Sequence, residues 1–212
     1  MAAPRRLILL RHGETQANVT GVWQGHLDVP LTERGIAQAA AAAPVVAAYG
    51  PVRVVASDLQ RTAVTGRALA EVCGLPLDLD ARWREFDVGQ WTGLSSAEVI
   101  ALHPQERQRA LRGEEQRRGI DGEGPSEVAD RVRPALAELI GALPDSQCAV
   151  IVSHGGTIKI IAALLLGLDT LTTSRLLTVP GNCEWADLVE GTTGWRIAGW
   201  NLRALSPNPR AH

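Results

Sequence analysis

Arg11-His12-Gly13 follows directly on the apolar run Leu7-Ile8-Leu9-Leu10. Such a run reads as a buried strand. In open α/β sheets, ligands bind where strands end, at the carboxyl edge. The residue types suit that place. Arg11 brings a planar fork of donors that fits a phosphate. His12 brings an imidazole nitrogen that is nucleophilic when neutral. Gly13 lets the chain turn close to a ligand. The pattern recurs twice. Strand 52–56 ends in Ser57-Asp58, with Arg61 in the first turn of a helix. Strand 149–153 ends in His154-Gly155-Gly156, which opens another helix. Between them, Trp83-Arg84-Glu85-Phe86-Asp87-Val88-Gly89 places a carboxylate in a loop. If the three strands are parallel neighbours, two arginines and two histidines converge, and helix N-termini add N–H donors. That constellation suits phosphoryl transfer, which is catalysed by positioning and charge stabilisation. Alone, Arg-His-Gly reads equally well as a strand end beside a stray histidine; the repetition favours chemistry.

The elements that must position these residues alternate strand and helix. Residues 32–48 read as a helix with Thr32 as N-cap and an apolar stripe of Ile36, Ala39, Ala40, Ala43 and Ala47. Pro44 is expected to kink or interrupt it. A second helix spans about 59–73, stopped by Gly74 and Pro76. A short strand falls within 77–83, and Ser95 caps a short helix to about 102. Helices are expected over 125–141, with Pro134 inside, and over 156–166. Two further strands lie near 183–189 and 194–200. The alternation predicts an α/β fold: three layers, α/β/α, around a mostly parallel central sheet. The long loop 19–31 reads as functional. Residues 103–118 are crowded with Arg107, Arg109, Arg112, Arg117 and Arg118 against Glu106, Glu114 and Glu115. Mixed charge of this kind reads as a solvated helix face. Residues 1–5 are expected to be loose and 206–212 disordered. With no repeat or linker, residues 1–212 are read as one domain.

Composition narrows the function classes. The 212 residues are 45% hydrophobic and 21% charged, with a net charge of −2. Those values are ordinary for a globular chain and give no pull toward nucleic acid or anionic membrane. No signal segment is expected, and no run of membrane-spanning length is read in these residues. The three cysteines, Cys73, Cys148 and Cys183, are too scattered for a disulfide framework or metal site, and a cytoplasmic location fits. Cys73 and Cys148 read as small core residues.

Six motifs carry a family resemblance, in order, over about residues 6–200. They are Arg11-His12-Gly13-Glu14-Thr15 with Asn18; Trp23-Gln24-Gly25 with Asp28; and Leu31-Thr32-Glu33-Arg34-Gly35. Then come Ser57-Asp58-Leu59-Gln60-Arg61-Thr62, Arg84-Glu85 with Gly89 and Trp91-Thr92-Gly93, and Ser153-His154-Gly155-Gly156. Together they resemble the histidine phosphatase superfamily, the phosphoglycerate-mutase-like proteins. The resemblance implies a small inserted cap, about residues 86–124, that varies with substrate class and can offer an arginine to an anionic substrate. It implies catalytic roles for Arg11, His12, Arg61, Glu85 and His154. Asn18, Gln24, Gly25 and Gly155 would bind the substrate. His26 either touches substrate or sits at the rim. Arg11 and Arg61 would hold the phosphate, with His154 a third donor, most useful as imidazolium. His12 would attack phosphorus. Glu85 would protonate the leaving oxygen, then activate water; burial and the dianionic phosphate favour its protonated form. Two departures stand out. Gly122-Glu123-Gly124-Pro125-Ser126-Glu127 replaces the family's usual Gly-Gly-Glu-Ser, which leaves the cap hinge open. Cys183 stands near where relatives often carry a hydroxyl, which leaves a contact from that loop open.

Other phosphatase chemistries lack their residues. Asp78-Leu79-Asp80 lacks the hydroxyl residue an aspartyl nucleophile needs two positions on. No cysteine has an arginine six residues later, and no His/Asp cluster suggests a two-metal site. The single lysine, Lys159, is misplaced for a Walker loop. No metal and no cofactor are expected. Within the superfamily, Glu85-Phe86-Asp87-Val88-Gly89-Gln90-Trp91 replaces the Glu-Arg-His-Tyr-Gly of cofactor-dependent mutases, and the cap is short. Both features imply hydrolysis. Trp23 to Asp28, Gly89 to Gly93 and Gly181 to Trp185 are similar to the branch that includes glucosyl-3-phosphoglycerate phosphatase. The expected function is therefore metal-independent hydrolysis of a small phosphomonoester through phosphohistidine. A phosphoglycerate mutase and a non-catalytic phospholigand-binding regulator are the alternatives. Dimers are common among such folds, though no stretch here specifies a homodimer.

Overall fold

The chain is described by a computed structural model over residues 4–112 and 116–204. Its first strand, β1 (Arg6–Arg11), lies inside a six-stranded sheet. The other strands are β2 (Pro51–Ala56), β3 (Leu77–Leu79), β4 (Cys148–Ser153), β5 (Trp185–Gly191) and β6 (Gly194–Leu202). The spatial order is β3-β2-β4-β1-β5-β6. Strands β1, β2, β3 and β4 pair in parallel; β5 and β6 add antiparallel. The sheet is thus mostly parallel, as expected.

Burial on both faces explains the apolar runs. Along β1, Leu7 and Leu9 enter one core with Val128, Val132 and Leu136 of α6 (Pro125–Ala142) and Ile158 and Ile161 of α7 (Gly155–Leu166). Ile8 and Leu10 enter the other core with Ala39, Ala42 and Val46 of α2 (Glu33–Ala47) and Leu69 and Ala70 of α3 (Gln60–Cys73). Helices therefore cover both faces in three layers. Short helices complete the chain: α1 (Gln16–Thr20), α4 (Ser96–Leu102), α5 (Pro104–Arg112) and α8 (Thr170–Leu176). Ser95 caps α4 with a reciprocal Glu98 bond, as expected.

Some details match expectation and others refine it. Pro44 does not interrupt α2, which runs through it, and α6 contains Pro134, as expected. Both prolines are exposed, as are Ala40 and Asp130 four residues earlier. The carbonyls that lose their helical donors therefore face water. The short strand expected within 77–83 is Leu77–Leu79, followed by a tight turn capped by Asp80. At the departure from the family pattern, Gly124 N–H donates to Glu127 and Pro125 opens α6. In the charged stretch, Glu114 and Glu115 lie outside the described residues, as does the 206–212 tail. Of the N-terminal residues expected to be loose, 1–3 lie outside the described residues too, whereas Arg5 pairs with Glu190 at 2.5 Å. Cys148 is buried, but Cys73 is only half-buried.

Candidate active site

Parallel register brings the motifs together. Arg11 of β1 stands beside Ser153 of β4, and Ala56 of β2 stands beside Val152. The next residues, His12, His154 and Ser57, leave the sheet side by side. Arg61 follows in the first turn of α3, and Glu85 arrives on the irregular segment 84–88. A cavity of about 260 Å³ opens there. Arg11, His12, Asn18, Gln24, Gly25, Arg61, Glu85 and His154 all line it. Gly155 does not. It lies buried beneath Arg11, where a Cβ would come within 2.4 Å of Val179.

His12 is 3% exposed, and its ring stands edge-on to His154 with centroids 5.1 Å apart. Its Nδ1 lies 2.7 Å from the Gly13 carbonyl, an acceptor, so Nδ1 carries the proton and Nε2 keeps the lone pair. Burial, then Arg11 and Arg61, hold His12 well below the ordinary imidazole value of 6.5. It is therefore a neutral base at neutral pH. Asn182 Nδ2 donates to the His12 carbonyl at 3.1 Å, and Cys183 N–H points at the same oxygen. The loop before β5 thus holds the His12 backbone, a contact that the sequence left open.

The arginines are anchored by backbone. Arg61 is 1% exposed and donates to the carbonyls of Leu27 (2.7 Å) and Gly25 (2.8 Å). Arg11 donates to the Pro180 carbonyl at 2.7 Å, while its buried Nε has no partner. Burial lowers Arg11 and pushes Arg61 down to about 10. Both stay charged at neutral pH, two like charges that an anion would compensate. Asn18 Oδ1 accepts from Asn182, and Thr15 Oγ1 lies 3.0 Å from both Asn18 Oδ1 and Gln24 Oε1. Among the described residues, those contacts engage the amide oxygens and leave both NH₂ groups for a ligand.

His154 is held from both sides of its ring. Arg61 Nε donates to its Nδ1 at 3.2 Å, so the proton sits on Nε2, facing Ser57 Oγ at 3.1 Å. Burial, then Arg61 and His12, hold it well below 6.5. With Nδ1 accepting from Arg61, the neutral ring orients that guanidinium.

Glu85 makes no ion pair among the described residues; the adjacent Arg84 pairs instead with Asp58. Its carboxylate accepts the N–H groups of Phe86 (3.0 Å), Gly156 (3.0 Å) and Thr157 (3.1 Å), and the Thr157 hydroxyl at 3.3 Å. It therefore rests on the N-terminal turn of α7. Gly156 permits this, since a Cβ would approach Glu85 Oε1 to 2.6 Å. His26 does not line the cavity; it sits beside the lining residue Gly25, with Nε2 2.8 Å from the Glu85 carbonyl.

Further lining residues were not among those expected, and one of them is charged. Arg118, from the stretch 86–124 expected to form a cap, lies 3.6 Å over the Phe86 ring and 5.6 Å from that of Trp23. Among the described residues its guanidinium has neither a carboxylate nor a hydrogen-bond partner. Among those residues, too, no three His, Cys, Asp or Glu side chains are grouped to hold a metal ion.

The histidine shifts make stability pH-dependent. Below about 6.5 the unfolded chain protonates both rings while the folded chain resists, so stability present at neutral pH is lost as pH falls. The urea midpoint of the ligand-free protein is expected to drop between about pH 7.5 and pH 5.5, with His12→Asn and His154→Asn each reducing the slope. Equal slopes in wild type and variants would contradict this.

Comparison with known proteins agrees with the geometry. The profile of the histidine phosphatase superfamily (branch 1) matches residues 7–203. The chain belongs to the histidine phosphatase superfamily. A glucosyl-3-phosphoglycerate phosphatase of Mycolicibacterium vanbaalenii is 37% identical, over 96% of this chain and 97% of that one. A probable phosphoglycerate mutase GpmB of Enterobacter sp. is 35% identical, over 92% and 89% respectively. A solved mycobacterial glucosyl-3-phosphoglycerate phosphatase in complex with VO3 superposes with a TM-score of 0.86 at 39% identity. That match covers 93% of this chain and 98% of the other.

Proposed function

We propose that this histidine phosphatase hydrolyses a small phosphomonoester whose leaving group carries a sugar or glycerate, through a phosphohistidine on His12. The observation that carries this reading is the neutral His12, with Nε2 unprotonated, in a cavity shared with the Arg11 and Arg61 guanidiniums and the Glu85 carboxyl. Arg11, Arg61, Asn18 and Gln24 bind the phosphoryl oxygens. The His12 Nε2 lone pair attacks phosphorus in line, and the bond from phosphorus to the ester oxygen breaks. Glu85 gives its proton to that oxygen. A water then attacks phosphorus and passes a proton to Glu85, and the P–N bond breaks to restore His12. Positive charge that a metal supplies elsewhere comes here from the guanidiniums. The three free cysteines fit a reducing cytoplasm.

Arg118 supports a leaving group with its own negative charge, such as the glycerate carboxylate of the substrate named for the mycobacterial relatives. The test is phosphate release, with chelator present, from p-nitrophenyl phosphate, neutral sugar phosphates, 3-phosphoglycerate and glucosyl-3-phosphoglycerate. Release in chelator is expected, with carboxylate-bearing esters preferred. Arg118→Ala should raise KM for those esters about tenfold, equivalent to roughly 1.4 kcal/mol, and less for neutral ones. Equal change across the panel would remove Arg118 from recognition. The relationship to a probable mutase makes interconversion of 3- and 2-phosphoglycerate the competing outcome; seeing it without hydrolysis would overturn the phosphatase reading.

A further inference from the structure

A general acid must be held within a fraction of an ångström of the oxygen it protonates. Glu85 lies on neither a helix nor a strand, so no ladder fixes its backbone. Side chains do so instead. The Trp83 carbonyl accepts Ser153 Oγ (2.7 Å), and the Arg84 carbonyl accepts Thr157 Oγ1 (2.8 Å). The Glu85 carbonyl accepts two donors, His26 Nε2 and Arg131 Nη2, each at 2.8 Å. Arg131 Nη1 also holds the Arg82 carbonyl at 2.8 Å. The Arg131 guanidinium is fixed in turn by both Glu123 oxygens, at 2.7 and 2.9 Å. Glu123 also accepts the Asp87 N–H at 2.8 Å. Neither His26 nor Arg131 lines the cavity. His26 belongs to the loop whose Gly25 and Leu27 carbonyls anchor Arg61. The segment carrying the acid and the loop holding the phosphate-binding arginine are thereby tied to each other.

We propose that His26 and Arg131 are positioning residues: they clamp the Glu85 carbonyl and so aim its carboxyl at the leaving oxygen. This rests on the reading of Glu85 as the general acid. Arg131 is neutralised locally by Glu123, so the clamp acts by hydrogen bonding and not by net charge. Its signature is leaving-group selectivity. An alkoxide needs protonation to depart, whereas p-nitrophenolate needs it far less. A defect in acid placement therefore falls on alkyl esters, and a general loosening of the fold falls on both.

The test compares kcat/KM, which reports steps through leaving-group departure, for p-nitrophenyl phosphate and for the alkyl phosphomonoester hydrolysed fastest. His26→Leu should lose about tenfold more on the alkyl ester, part of the 10²–10⁴ range of general acid catalysis. His26→Gln, which keeps an N–H donor, should recover most of that loss. Arg131→Met should shift selectivity in the same direction, with thermal unfolding followed alongside. Glu85→Gln is the control and should show the largest selectivity. Equal losses on both esters in His26→Leu, or no recovery in His26→Gln, would overturn the clamp while leaving Glu85 as the acid. Absence of selectivity in Glu85→Gln would overturn the acid assignment, and the clamp with it.

Discussion

His12→Ala is expected to lower kcat/KM by at least about 10⁴-fold, equivalent to roughly 5 kcal/mol of transition-state stabilisation. No other nucleophile is placed to replace it. His154 is the nearest imidazole, but Arg61 occupies its Nδ1 and Ser57 its Nε2. The folded state should survive. The buried ring is edge-packed on His154, and its removal also relieves an imidazole held out of water between two arginines. The variant should still bind inorganic phosphate, because Arg11 and Arg61 keep their backbone anchors. Turnover within about a hundredfold of wild type, with metals chelated, would contradict the assignment of His12 as nucleophile.

Arg61→Ala is the second large effect, and it has two parts. Loss of one charged donor to the transferring phosphoryl group is expected to cost about 10²–10³ in kcat/KM. Further loss comes from loosening of the 19–31 loop, since the Gly25 and Leu27 carbonyls lose their donor. Each buried acceptor left unpaired costs about 1–3 kcal/mol, partly offset by relief of the repulsion between Arg61 and Arg11. The second part is electrostatic. Arg61 is among the causes that hold His12 and His154 low. Without it the acidic limb of kcat/KM should move to higher pH, as His12 becomes easier to protonate. A pH–rate profile of residual activity checks this. An unmoved acidic limb, or a loss under about tenfold, would contradict the placement of Arg61 beside both histidines.

What the sequence made legible was chemistry at strand ends. Parallel strands carry their polar residues off at the same edge, so Arg11, Ser57 and His154 needed only neighbouring strands to meet. Buried parallel strands also announce themselves as continuous apolar runs, as 7–10 and 149–152 do. Arg118 and Arg131 were not legible. Arg118 sits in a run of mixed charge, and only tertiary packing lays it on Phe86. Arg131 follows the polar face of an amphipathic helix, and nothing local says that Glu123 and two backbone carbonyls surround it. The protonation state of His154 was equally hidden, because it depends on which Arg61 nitrogen reaches it. Helix α1 did leave a signal: Thr15 and Asn18 form a reciprocal cap within a stretch read only for its chemistry. Pro44, which does not interrupt α2, shows the opposite error. A local rule was weighted above exposure, and exposure decided the outcome.

The central claim is a covalent phosphohistidine on His12. It is tested most directly by rapid quench into alkali after mixing enzyme with ³²P-labelled p-nitrophenyl phosphate in chelator. The account predicts label on the protein that is stable in base, lost in acid, and located in the peptide containing His12. Label absent during steady turnover, or found on any other residue, would contradict it.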